Sequence, residues 1–265
     1  MHLPFAAPNV MAGNLHSVYR EDRVLTGGLW DHLATLPSLV PPGPIAMLGL
    51  AAGTVPQIMA SHYPCGHCTR GGRNVVHGWE LDPAVVEAGR LYLGMHELEQ
   101  RGELVVHIGD ALAPTACVPG GFSGIIVDLF AGGRLLPQLT KASPGALYVG
   151  EHRKTWEDLR SRLAPGNGAR LIANLGQAPP TIPGVRWQEE AYTTLRAYEA
   201  LEAAFDGEVS LLTVQSNTLA LTGPLPNPEE WPGPLPEGLQ HLAADGLWAR
   251  DVYPLQKVVV NLSLW

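Results

Sequence analysis

The stretch Ile45-Ala46-Met47-Leu48-Gly49-Leu50-Ala51-Ala52-Gly53-Thr54, followed by Val75 to Trp79 and then Glu80-Leu81-Asp82, carries most of the structural information in this chain. Four unbroken apolar residues read as a buried strand. The small-residue turn after them lets a ligand come close to the backbone, which larger side chains would prevent. After one helix, Val55 to Tyr63, a second strand ends at Glu80, where a carboxylate can accept both hydroxyls of a ribose. Together these features read as a nucleoside-cofactor site. Glu80 lies 27 residues after Gly53, and the Pro-, Gly- and Arg-rich segment Pro64 to Arg73 accounts for the excess over a usual spacing of roughly 20. Taken singly, the turn also reads as a bare strand-to-helix connection and Glu80 as a solvated strand-end acid.

On either side of this stretch the chain alternates strand and helix. Pro83 opens a helix with Asp82 as its N-cap and Val85, Val86, Ala88, Leu91 and Tyr92 at helical spacing. Leu104 to Ile108 reads as the third strand. Gly124 to Val127 is the fourth, continuous rather than alternating, as expected where helices cover both faces of a parallel sheet. A helix from about Arg153 to Leu163, a strand from Arg170 to Asn174 and a helix from Tyr192 to Phe205 follow. Val209 to Val214 and Thr218 to Leu221 then pair as a hairpin turning at Ser216-Asn217. The expectation is an α/β fold: a seven-stranded, mostly parallel, Rossmann-like sheet ending in an antiparallel hairpin, the arrangement of class I methyltransferases.

Outside that core, residues 13 to 31 alternate weakly around Gly27-Gly28 and predict a small N-terminal β-hairpin that forms a lid. Leu33 to Leu39 predicts a short helix stopped by Pro41-Pro42. Six prolines between Pro224 and Pro236 predict an irregular strap, and the apolar segment Val258 to Leu264 an edge strand or a docking surface. The expected division is a lid segment over 1–40, a cofactor-binding domain over 41–223, and a strap with C-terminal segment over 224–265.

Composition narrows the classes of partner. A formal net charge of -8 opposes a nucleic-acid backbone, which calls for clustered Lys and Arg, and favours a small or cationic partner. No apolar run approaches the roughly 18 residues of a spanning helix, and residues 1 to 12 lack the pattern of a secretory signal. The expectation is a soluble intracellular protein, cytoplasmic or plastid. Three cysteines are too few for a disulfide framework. Cys65-Gly66-His67-Cys68 lies after a helix, unlike a redox dithiol, and reads as a bland loop, with a zinc site using His62 or His67, or redox activity, as alternatives.

Two further acids end strands. In Gly109-Asp110-Ala111 the carboxylate can accept the adenine amino group while Ala111 leaves room for the ring; Asp110 reads equally as a capping acid. Asp128 closes the fourth strand, where ligands of open parallel sheets sit, and can orient or deprotonate an amine. Its alternative role is to hold the Gly132-Gly133 turn.

The strings Leu48 to Thr54, Trp79 to Asp82, Gly109-Asp110-Ala111 and Ile126-Val127-Asp128-Leu129-Phe130 resemble the spermidine synthase-like branch of the S-adenosylmethionine-dependent methyltransferase superfamily. Leu136-Pro137-Gln138-Leu139 and Ala220 to Pro226 add a likeness to its plant and algal members. The resemblance covers about residues 13 to 223. It implies S-adenosylmethionine or its decarboxylated form as cofactor. Gly49, Ala51 and Gly53 would lie along its methionine portion, Glu80 and Leu81 along its ribose, Asp110 and Ala111 along its adenine, and Asp128 beside the reacting group as the catalytic acid.

The departures from the family are as informative. Spermidine synthases hold an aminopropyl ammonium with an aspartate where Ala52 stands, and follow the catalytic aspartate with a second aspartate and a proline where this chain has Leu129-Phe130. Losing two carboxylates removes the charge complementarity a polyamine needs. The expected function is therefore methyl transfer to an unidentified acceptor, a small-molecule or protein amine. One alternative is an aminopropyltransferase in which Glu21 or Asp31 joins Asp128. Another is a non-catalytic binding or assembly subunit whose turn is narrowed by Ala51 and Ala52. The resemblance also implies a homodimer, common in the family.

Overall fold

A computed structural model of the chain describes residues 17, 22–63, 74–140, 150–166, 168–177, 189–215, 217–224 and 234–244. Its elements, in chain order, are α1 (Leu29–Leu33), a 3-10 turn at Leu36–Ser38, β1 (Ile45–Leu48), α2 (Thr54–His62), β2 (Val76–Glu80), α3 (Pro83–Tyr92), α4 (Met95–Gln100), β3 (Leu104–Ile108) and β4 (Gly124–Val127). Then follow β5 (Phe130–Ala131), β6 (Arg134–Leu135), α5 (Pro137–Thr140), α6 (Gly150–Ser161), β7 (Arg170–Gln177), α7 (Glu189–Ala204), β8 (Val209–Val214), β9 (Asn217–Thr222), a 3-10 turn at Glu237–Leu239, and α8 (Gln240–Ala244).

Seven strands form one sheet in the order β3-β2-β1-β4-β7-β9-β8. The first five are parallel, and β9 runs antiparallel to both β7 and β8. This is the class I methyltransferase arrangement. All four residues of β1 and all four of β4 are buried, which explains why neither strand alternates in sequence. Successive side chains feed opposite faces. Ile45, Met47, Ile126 and Ile172 pack with Leu33, Leu36, Ile58 and Met95 on one side. Ala46, Leu48, Ile125, Val127 and Leu171 pack with Phe122, Trp156 and Leu201 on the other.

Local chemistry sets the element ends. Asp82 caps α3 by accepting the Ala84 N–H at 2.8 Å, with Pro83 in the first turn, an arrangement that contributes about 1 kcal/mol. Between β3 and β4 there is no helix; the loop is instead held by Arg162. One of its guanidinium nitrogens donates to the carbonyls of Ala111 and Ala116 and the other to that of Leu112.

The small hairpin of this fold is β5–β6, turning at Gly132-Gly133, both with positive φ as a two-residue hairpin turn requires. The expected N-terminal β-hairpin is not where its second arm should be. Residues 22–28 make bends, and Leu29 already belongs to α1, a helix starting earlier than the expected Leu33. Buried Asp31 organises this segment by accepting the Thr26 and Gly27 N–H groups and the Thr26 hydroxyl. Residues 13–16 and 18–21, the Cys65-Gly66-His67-Cys68 motif, Ser216, most of the proline strap and Val258 to Leu264 lie outside the described residues.

Candidate functional site

The carboxyl ends of β3, β2, β1 and β4, neighbours in the sheet, carry Asp110, Glu80, the Gly49–Gly53 turn and Asp128 respectively. Backbone bonds lock these ends together. The Gly49 and Leu50 N–H groups donate to the Trp79 carbonyl, the Gly109 N–H donates to the Glu80 carbonyl, and the Asp128 N–H donates to the Leu48 carbonyl. Every residue expected at the site is therefore on one rim of the sheet.

Gly49 has φ +90°, and a Cβ there would stand 2.1 Å from the Asp128 carbonyl oxygen. Only glycine lets the turn pass so close to β4. Gly53, the N-cap of α2, faces Met95 in the same manner, a Cβ falling 2.5 Å from its Cγ. Ala51, between them, takes φ +48°, which costs a side-chain-bearing residue about 1–2 kcal/mol. Its N–H donates to Glu80 Oε2 at 2.9 Å, and the Asp82 N–H donates to Glu80 Oε1 at 3.0 Å. One carboxylate thus clamps the strained turn to the tip of β2. Each of its oxygens still has a lone pair for a ligand hydroxyl. The Ala52 N–H donates to the Ser17 hydroxyl at 2.9 Å, so Ser17 lies on the turn.

Leu81, next to Glu80, is 72% exposed, and Ile108, at the end of β3, is 54% exposed. These are unusual exposures for large apolar residues, on the strand ends flanking Glu80. Asp110 is exposed and accepts the Leu112 N–H at 2.8 Å, closing the start of the loop held by Arg162. Ala111 is buried beneath it. The capping role of Asp110 is thus present.

Asp128 is half-buried. Its Oδ1 accepts the side-chain amide of Asn174, only 5% exposed on β7, at 3.0 Å; the Asn174 side-chain oxygen in turn accepts the Gly176 N–H at 3.0 Å. Sequence reasoning ended a strand at Asn174 and assigned it no role. The signal was a lone amide among Leu171, Ile172, Ala173 and Leu175, which a buried strand keeps only if it is hydrogen-bonded. Ser17 was missed as well, since a contact across 35 positions leaves no local pattern. Asp31 does not join Asp128. Its carboxylate is 1% exposed and taken up by Thr26 and Gly27; Glu21 lies outside the described residues. No group of three or more potential metal ligands occurs among the described residues.

Beyond this rim, β7 bulges. Asn174 pairs with Leu219 but Gln177 with Asn217, so one extra residue is accommodated around Gly176. The bulge and the β5–β6 hairpin together border an open pocket of about 220 Å³, lined by Phe130, Arg134, Leu135, Gly176, Gln177 and Asn217 among others.

No family model matches the chain, and no curated protein matches it in sequence. Solved structures do resemble it. Spermidine synthase from Thermotoga maritima aligns over 76% of this chain at 16% identity with a TM-score of 0.50; the chain spans 62% of that protein. An O-methyltransferase family protein from Burkholderia thailandensis aligns over 73% of this chain and 54% of its own, at 13% identity and a TM-score of 0.47. At these identities the likeness to the Thermotoga enzyme is one of fold, and it agrees with the strand order.

Proposed function

We propose that this chain is an S-adenosylmethionine-dependent transferase of the spermidine synthase-like group that moves a methyl group rather than an aminopropyl group. The observation that carries the reading is the Glu80 clamp. A carboxylate at the tip of β2, fixed by two backbone N–H groups against a glycine-bordered turn, is prearranged for the hydroxyl pair of a ribose. Gly49, Ala51 and Gly53 would then line the amino-acid end of the cofactor, Leu81 and Ala111 the faces of its nucleoside, and Asp110 the adenine amino group. Bound S-adenosylmethionine would supply an electrophilic methyl carbon on a sulfonium.

The chain's own contribution is made by Asp128. Held by Asn174, its carboxylate is directed at the space beyond β4, where it can orient an acceptor and take the proton that the acceptor loses. Against aminopropyl transfer stands the lack, among the described residues, of an acid where the ammonium of the decarboxylated cofactor would lie. Ala52 occupies that position, and Asp31 is committed elsewhere.

Titration calorimetry with S-adenosylmethionine and with its decarboxylated form tests the proposal. The expected result is binding of the first, weakened at least tenfold by Glu80→Ala, and weaker binding of the second. Binding of neither would overturn it; preference for the decarboxylated form, with product formed from putrescine, would establish the aminopropyl reading.

A further inference from the structure

Residues 234–244 are distant in sequence from α2 and pack against it. Leu235, Leu239 and Leu242 are buried in the same core cluster as Leu33 of α1 and Ile58 and Met59 of α2. The Ser38 hydroxyl donates to the Pro234 carbonyl at 3.0 Å and shares a 2.9 Å hydrogen bond with the Tyr63 hydroxyl, just past the end of α2. His62, the last residue of α2, meets the segment directly. Its imidazole rests on Gly238, where a Cβ would stand 2.4 Å from the ring Cε1 and 2.6 Å from Nδ1.

The ring is half-buried, but its Nε2 is sealed from solvent and has no hydrogen-bond partner. A neutral imidazole can leave that nitrogen as a bare lone pair. An imidazolium carries N–H on both nitrogens, so protonation puts a buried donor where no acceptor stands. Among the described residues the groups facing it are Asp31 of α1, which attracts an imidazolium, and His241 of α8, which repels one when protonated. The Asp31 carboxylate is already taken up by Thr26 and Gly27. Tyr63, whose pKa burial raises, stays neutral, and Glu237 beside Gly238 is exposed. Burial outweighs the pull of Asp31, and the pKa of His62 is lowered.

We propose that residues 234–244 form a pH-sensitive clasp on the end of α2, closed over a neutral His62 and opened when His62 takes up a proton. Linkage sets the sign. Once the segment lifts, Nε2 meets water, so the open form binds a proton more readily than the closed one. Closure is at full strength above the ordinary histidine value of about 6.5 and weakens as the pH falls from there to the lowered closed-state value. The clasp bears on the helix that begins at the Gly53 turn, and it stands independently of the transferase reading.

The test is hydrogen–deuterium exchange of the full chain at pH 7.5 and 5.5, corrected for the intrinsic pH dependence of exchange, with β1 and β4 as the internal reference. Protection of residues 235–242 should fall about threefold to tenfold relative to that reference, tenfold being the limit when the closed form takes no proton. His62→Phe keeps a ring that cannot be protonated and should lose the response. His77→Gln, which alters a different histidine pair, should keep it. Equal protection at both pH values, a fall shared equally by β1 and β4, or an undiminished response in His62→Phe would each overturn the proposal. If His62→Phe does not fold, His62→Gln takes its place with the same expected result. An NMR titration of the unaltered chain adds a check without any variant: a His62 midpoint at or above the ordinary value, with residues 235–242 still protected, would also overturn it.

Discussion

Gly49 illustrates how little freedom single positions at the rim have. Any Cβ there must displace the Asp128 carbonyl or move the turn, and φ +90° is unfavourable to any other residue. Gly49→Ala is expected to destabilise the fold by at least about 2 kcal/mol, read as a lower urea midpoint with an unchanged slope. Gly49, Glu80, Asp110 and Asp128 were legible because each sits where a strand stops, and strand ends follow from the apolar runs before them. Asn174 and Ser17 were not. Their contacts are with partners 46 and 35 positions away, and no local pattern encodes such distances.

Among the elements, β2 and β3 share a feature that titrates. His77 and His107 share one face of the sheet, with His77 Nδ1 3.2 Å from His107 Nε2 and the His107 ring stacked on Trp79 at 4.4 Å between centroids. Burial lowers the pKa of both, and for His77 the neighbouring imidazole lowers it further. The folded chain therefore resists protons that the unfolded chain accepts below about pH 6.5. Their neutral pairing contributes fully above that pH and is lost as the pH falls through the lowered folded values. The melting temperature should drop as the pH is taken from 7.5 to 5, and His77→Gln should flatten the profile. A profile as steep in that variant as in the parent would exclude the pair as the cause.

The longer elements were readable from sequence, because an apolar run or a capping Asp-Pro is a local statement about burial or helix start. The β5–β6 hairpin was not, since two-residue strands have no period; only Gly132-Gly133 hinted at a turn. The bulge in β7 was equally invisible, as it is defined by register against β9. Gly27-Gly28 resembles a hairpin turn, but among the described residues 22–33 no strand flanks it. The carboxylate of Asp31 instead gathers the donors just before it and starts a helix.

For the molecule as a whole, the proposed ligand should act as a stabiliser. The turn, β2 and β4 belong to one sheet, so occupancy of the rim couples to global unfolding. At a hundredfold excess of S-adenosylmethionine over its dissociation constant the gain is about 2.7 kcal/mol, and the melting temperature should rise by roughly 5–10 °C. A rise that persists in Glu80→Ala would show that the ligand binds elsewhere. No described helix is long and apolar enough to cross a membrane.

The bond from Ala52 to Ser17 carries a different kind of consequence. That amide has one proton to share, and a ligand atom reaching for it must first evict the hydroxyl. The chain thus contains its own competitor for the turn. Whatever draws residue 17 away favours the ligand, and by reciprocity the ligand favours whatever draws residue 17 away, so occupancy and the position of Ser17 are two readings of one equilibrium.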